Sequence, residues 1–193
     1  MTEEPEVLVV ADRAAWRAWL DANEDASDGV WLLLVKKGKE AATSLAYVEA
    51  VEEALCSGWI DGQMKSIDDA VVRQRFTPRR RRSIWSLRNV DRVERLIAEG
   101  RMRERGHAEI ALAKADGRWD RAYGASTLSE VPPDLAAALA ASPAATETFG
   151  RLSGQNRYAV LHRVTTAATE PTRARRIERL VGMLARGETP YPQ

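Results

Sequence analysis

Apolar positions change their spacing part-way along this chain, and the change separates a mixed first part from a helical second part. Residues 6–10 form a short β-branched run. Asp12 then stands as a cap for a helix whose Ala15, Trp16, Trp19 and Leu20 share one face. Residues 29–37 hold the unbroken apolar run Val30-Trp31-Leu32-Leu33-Leu34-Val35, which predicts a buried strand with Trp31 in the core. Ser44 is placed to cap a second helix, with Val48, Val51 and Leu55 on its stripe and Gly58 at its end. Two strands are expected between Trp59 and Phe76, turning near Asp68-Asp69. The second alternates weakly, with Val72, Gln74 and Phe76 on one side and Val71, Arg73 and Arg75 on the other.

Beyond Ser86 only helical spacing remains. Ser86 or Asn89 opens a helix that turns Val90, Val93, Leu96 and Ile97 inward and stops at Gly100. Further helices are predicted over 104–115, 132–141, 143–151 and 154–166, with Ser142-Pro143 supplying a cap and a proline at the first helical position. A last helix starts at Thr169-Glu170-Pro171, aligns Ile177, Leu180, Val181 and Leu184, and carries Arg173, Arg176 and Arg179 on another face. Strands with helices first, and helices alone afterwards, give an α+β class. The expected organisation is a small sheet-containing part with two or three packed helices over residues 1–88. An all-helical part over 89–193 is expected to pack with it as one unit.

Composition narrows the function classes only slightly. The 193 residues are 45% hydrophobic and 30% charged, ordinary values for a folded domain with a real core. No apolar run approaches the roughly 20 residues that span a bilayer. The acidic first six residues lack the basic start and apolar stretch of an export signal, and Cys56 is a lone cysteine, so a cytoplasmic location is expected. The net charge of +1 conceals an asymmetry. Residues 1–30 carry eight acids against two arginines, whereas residues 71–105 carry twelve arginines against four acids. A field of that shape steers anions toward the middle of the chain.

The densest chemistry lies in Phe76-Thr77-Pro78-Arg79-Arg80-Arg81-Arg82-Ser83-Ile84-Trp85-Ser86, with Gly58-Trp59-Ile60-Asp61-Gly62 as a second piece. Four guanidinium groups among indoles and hydroxyls suit a planar or anionic partner. Read as a continued strand, Arg79 and Arg81 would face one way and Arg80 and Arg82 the other. Trp59 and Asp61 would share a strand face. Ser83, Ser86 and Asn89 sit where a helix begins, so each is either a cap or a donor to a bound anion. Trp85 and Trp119, with Arg118 beside the latter, offer aromatic walls. Trp59, Asp61, Arg79, Ser83, Trp85, Ser86, Asn89, Arg118 and Trp119 are therefore the candidate ligand-binding residues.

A longer series carries a resemblance. Ala54-Leu55-Cys56-Ser57-Gly58-Trp59-Ile60-Asp61-Gly62 is followed by Phe76-Thr77-Pro78-Arg79 with Ser83, Trp85-Ser86 and Asn89, then Gly100-Arg101-Met102 and Gly117-Arg118-Trp119. Leu152-Ser153, Asn156-Arg157-Tyr158 and Thr172-Arg173-Ala174-Arg175-Arg176-Ile177 complete it. The chain resembles the bacteriocin-protection family, also called YdeI/OmpD-associated. The resemblance implies protection against antimicrobial peptides and association with an outer-membrane porin.

Catalytic constellations are sparse. His107 and His162 stand on predicted helices without a second ligand nearby, Cys56 reads as an inert buried thiol, and no phosphate-binding glycine loop occurs. No cofactor and no metal are expected. Three functions stay open: a cytoplasmic module binding a small anionic or aromatic molecule, protectively against antimicrobials; a nucleic-acid binder using the Arg-rich middle and the Arg173–Arg176–Arg179 face; or an enzyme of unstated reaction using Asp61 and Arg79.

Overall fold

The computed structural model describes residues 6–124 and 130–192. Asp12 adopts an extended backbone and accepts a hydrogen bond from the Ala15 N–H at 2.9 Å, which starts α1 (Arg13–Asn23). Strands β1 (Val7–Leu8), β2 (Val30–Val35), β3 (Trp59–Ser66) and β4 (Val71–Pro78) form one sheet in the order β1-β2-β4-β3. The β1–β2 pair is parallel, and the other two pairs are antiparallel. The turn joining β3 to β4 is held by the Asp68 carboxylate, which accepts from the N–H groups of Ala70 and Val71 at 2.7 and 2.9 Å. Those two bonds hold its pKa below the usual carboxylate value.

Period-2 alternation sorts the sheet. Leu32, Leu34, Gln74 and Phe76 are buried on the side that faces α1 and α2 (Tyr47–Cys56). There Trp16 stacks on Trp19 with ring centroids 5.3 Å apart and meets Phe76 at 5.5 Å, while its indole N–H donates to the Ala50 carbonyl at 3.1 Å. Burying an aliphatic side chain such as Leu32 or Leu34 contributes about 2 kcal/mol. Trp31 departs from expectation. It lies in register with Arg75, is only part-buried, and has Lys65 and Arg73 over its ring at 5.7 and 5.4 Å. An unbroken apolar run hides which residues alternate outward.

Other expectations are also corrected. Ser44 does not cap α2; its hydroxyl is bonded to the Ala11 carbonyl oxygen at 3.1 Å. The cap position is Ala46, whose N–H is taken by the Glu49 carboxylate reaching back at 3.1 Å. Val48 is exposed, because α2 turns Ala50, Val51, Ala54 and Leu55 inward instead. Ser86, not Asn89, caps α3 (Leu87–Ala98), and Ile97 points to solvent while Val90, Val93 and Leu96 are buried.

Gly58 ends α2 with a positive φ of 70°, and a side-chain carbon there would come within 3.1 Å of the Arg105 carbonyl oxygen of α4 (Glu104–Ala115). Gly106 answers it from α4, since a carbon added there would collide with the Cys56 carbonyl oxygen. The two glycines let α2 and α4 touch backbone to backbone.

The chain divides into two compact units, Met1–Ala122 and Tyr123–Gln193. The expected division at 88/89 marks the change of element type. The compact division falls later, because α3 and α4 contribute Val90, Val93, Leu96, Ile110 and Ala113 to the core of the sheet. The second unit contains α5 (Pro133–Ala140), α6 (Pro143–Gly150), α7 (Gly154–Thr165) and α8 (Glu170–Ala185). Ser142, Ser153 and Thr169 cap the last three, and Leu135, Phe149, Val160, Leu161, Ile177, Leu180 and Leu184 fill its core. Among the described residues no helix is long and apolar enough to cross a membrane.

Candidate functional site

The arginine tract does not continue β4. The chain leaves the strand at Pro78, and the Ser83 N–H closes a turn on the Arg80 carbonyl at 2.8 Å, while the Arg80 N–H returns a bond to the Ser83 hydroxyl at 2.9 Å. Strand-like alternation of the four arginines is therefore lost. Arg79 is 6% exposed and Arg80, Arg81 and Arg82 are all exposed. The Arg79 guanidinium lies 3.6 Å from the centre of the Trp85 ring and donates to the Ile84 carbonyl at 3.2 Å. Trp85, 2% exposed, meets Trp119 at 5.0 Å between centroids. From below, Arg118 donates to the Ser83 carbonyl at 3.0 Å while its Nε is held by Asp116 at 2.8 Å, and that guanidinium lowers the Asp116 pKa. Five of the predicted residues, Arg79, Ser83, Trp85, Arg118 and Trp119, are thus brought together as a packed support beneath a turn.

The others sit beside it with partners of their own. The Ser86 hydroxyl accepts from the Asn89 N–H at 3.2 Å, and the Asn89 side-chain Oδ1 accepts from Arg92 at 3.1 Å. Trp59 is fully buried, edge-on to Trp19 at 5.9 Å. Asp61, two residues on and toward α2, accepts a 2.7 Å bond from the Tyr47 hydroxyl. Burial first, then the Asp61 charge and this bond, raise the Tyr47 pKa well above the usual phenol value.

A second cluster, absent from the sequence reading, surrounds α2. Glu53 is almost fully buried and accepts from Arg13 Nε at 2.7 Å and Arg101 Nη2 at 2.8 Å; its other oxygen stands 3.7 Å from Arg103 Nη2. Its neighbour Glu52 is engaged by Arg95 and by Arg101. Partial burial opposes the charge on Arg101, but bonds to Glu99 and Glu53 outweigh it and raise its pKa. Cys56 is fully buried, and burial followed by the Glu53 charge pushes its thiol up to about 11, which leaves it unreactive.

Glu53 and Arg13 also line an open cleft of about 600 Å³, together with Asp12, Ala14, Arg17, Ser44 and Glu49. Its carboxylates are engaged: Asp12 caps α1, Glu49 holds the Ala46 N–H, and Glu53 binds arginines. Arg17 is different. Its side chain is 50% exposed and its ion-pair contact, Asp21, lies 3.9 Å away because the same carboxylate is gripped by Arg103. Among the described residues no group of three or more His, Cys, Asp and Glu side chains is placed to hold a metal ion.

Comparison with known families places both units. Residues 8–109, more than half of the chain, match the family model described as Domain of unknown function (DUF8412). The chain belongs to this family. Residues 129–187 match the model described as Bacteriocin-protection, YdeI or OmpD-Associated, which bears out the resemblance carried by the sequence. No curated protein and no solved structure matches the chain.

Within the bacteriocin-protection match, the motif residues act as fasteners. Ser153 caps α7, and buried Asn156 holds the Tyr191 backbone from both sides, through Nδ2 to its carbonyl at 3.1 Å and from its N–H to Oδ1 at 2.8 Å. Arg173 makes a fork on Asp134 and donates to the Val164 carbonyl, while Arg176 donates to the Arg163 carbonyl. Both complete the C-terminal end of α7.

Proposed function

We propose that this protein, of the YdeI/OmpD-associated type, binds a small anionic molecule in the cleft at the start of α1, that it works in the cytoplasm, and that holding this ligand is how it protects against antimicrobials. The observation that carries the reading is Arg17. It is a half-exposed guanidinium on a cleft wall whose carboxylates are already engaged, and its own partner is drawn away to Arg103. Arg13 stands beside it on the first turn of α1, where backbone N–H groups lack intrahelical partners and the helix dipole favours negative charge. A carboxylate or phosphate oxygen would receive a charge-assisted hydrogen bond from Arg17.

A thermal-shift screen of small carboxylates, phosphates and antimicrobial compounds, followed by calorimetry on the hits, tests the reading. Binding is expected to weaken at least about tenfold in Arg17→Ala, the effect of one lost charge-assisted bond. A screen without hits, or hits that bind Arg17→Ala as tightly as the parent, would overturn it.

A further inference from the structure

The turn that follows β4 presents an unusual combination. Arg80, Arg81, Arg82 and Arg88 are exposed, and between them Ile84 is 39% and Leu87 48% exposed. Other arginines of this region are matched: Arg95, Arg101, Arg103 and Arg105 each reach a carboxylate. None of the four around Ile84 and Leu87 has such a partner among the described residues. A single exposed aliphatic residue is commonplace, but two within four residues, ringed by unmatched guanidiniums, are not.

The support beneath the turn makes this a presented surface. Arg79 is pinned on the Trp85 ring and on the Ile84 carbonyl, Arg118 grips the Ser83 carbonyl, and Ser83 closes the turn on Arg80. These contacts fix the backbone at 79, 83 and 84, and leave the intervening side chains outside.

We infer that residues 80–88 dock the first unit on an anionic phospholipid surface. Guanidinium groups bind the lipid phosphates, while Ile84 and Leu87 enter the boundary between headgroups and acyl chains. The chemistry favours lipid over nucleic acid for two reasons. Exposed aliphatic side chains gain nothing on a sugar–phosphate backbone, and the segment's aromatic ring, Trp85, is buried where no base can stack on it. Attachment is peripheral, by a turn.

Sedimentation of the full chain with vesicles of phosphatidylcholine alone, or mixed with phosphatidylglycerol, tests the inference. Partition onto the mixed vesicles alone is expected, weakening as salt is raised. The variant R80S/R81S/R82S should partition about a hundredfold more weakly, at about fivefold per guanidinium lost. The variant I84S/L87S should lose about tenfold while keeping the salt dependence. All five positions are exposed, and far-ultraviolet circular dichroism checks that each variant is folded. Equal partition onto both vesicle types overturns the inference, as does an unchanged R80S/R81S/R82S. Tighter binding to duplex DNA or RNA than to the vesicles, unaffected by I84S/L87S, overturns it in favour of a nucleic-acid surface. Ligand binding in the cleft is read separately through Arg17, so either proposal can fail without the other.

Discussion

The first compact unit contains all six tryptophans and buries Glu53 among Arg13, Arg101 and Arg103; the second contains no tryptophan and sends Arg173 and Arg176 to a helix end. In the first, Glu53 is taken out of water beside a cleft, and one of its arginines, Arg103, also reaches the Glu53 carbonyl in the last turn of α2. In the second, Arg173 and Arg176 each complete a terminus of α7, and Asn156 ties down the tail. Buried ion pairs are an inefficient way to stabilise a fold, because desolvation offsets much of the attraction. Helix-end fasteners are efficient. The motif residues Ser153, Asn156, Arg173 and Arg176 are therefore accounted for by stability; the buried charges around α2 are not, and the cleft proposed to bind a ligand lies against them.

The largest effect that would sharpen this contrast is expected from Glu53→Ala. Removing the carboxylate takes away the partner of Arg13 and one of the three carboxylates on Arg101, which keeps Glu52 and Glu99. Breaking a buried pair costs about 3–5 kcal/mol, and the lower end is expected here because Arg13 is part-exposed and Arg101 keeps two partners. Urea unfolding followed by tryptophan emission reads the first unit alone, because every tryptophan lies there. A loss under about 1 kcal/mol, the range of surface pairs, would show that Glu53 is not buried charge in the sense argued. Asn156→Ala comes next, in the second unit. It removes two bonds to the Tyr191 backbone and should cost about 1–3 kcal/mol. Faster hydrogen exchange of the Tyr191 amide, with an unchanged tryptophan transition, is the expected signature. An amide that stays as protected as in the parent would break the fastener reading.

Much of this architecture was legible in the sequence, for identifiable reasons. Spacings of two and of three to four residues are local, so the sheet followed by helices could be read, as could the caps at Asp12, Ser86 and Ser142. The candidate loop was also visible, because clustered arginines and indoles stand out in composition. Its geometry was not. Pro78 and the Ser83 turn end strand alternation, so Arg79 turns inward and its three successors outward. The cluster at α2 was hidden for a different reason. Glu52 and Glu53 look like a solvated helix face until Arg13, Arg95, Arg101 and Arg103 arrive from 40 or more residues away. Pairings of that range leave no local pattern.

A smaller effect, dependent on pH, separates the units further. His162 is stacked against Tyr158 with Tyr123 at its edge; burial first, and then the charges of Arg176 and Arg163, lower its pKa. The folded chain therefore takes up a proton less readily than the unfolded one. Stability from this group is complete above the unfolded value near pH 6.5 and is lost as pH falls through the lower folded value. The helical transition of the second unit should soften over that window in the parent and stay flat in His162→Gln. Asp134 works in a lower window: Arg173 depresses its pKa, and protecting charge disappears only as its carboxyl protonates. Equal softening in His162→Gln would remove the histidine from the explanation.

The smallest expected effects test the fastener idea most directly, because they compare two arginines with the same kind of partner. Arg173 and Arg186 each make a forked contact with a carboxylate, Asp134 and Glu188 respectively. Arg173 additionally donates to the Val164 carbonyl at 3.0 Å, and its side chain is far less exposed than that of Arg186, at 20% against 62%. If ion pairing were what mattered, Arg173→Ala and Arg186→Ala would behave alike. If closing α7 is what matters, Arg173→Ala should cost about 1 kcal/mol, the worth of one hydrogen bond to a carbonyl at the helix end. Arg186→Ala should leave the urea midpoint where it was, since an exposed pair exchanges one set of solvated contacts for another. High salt should not abolish the Arg173 effect, because screening reaches the carboxylate contact more than the bond to a peptide oxygen. Equal midpoints for the two variants would return the second unit's arginines to ordinary surface charge.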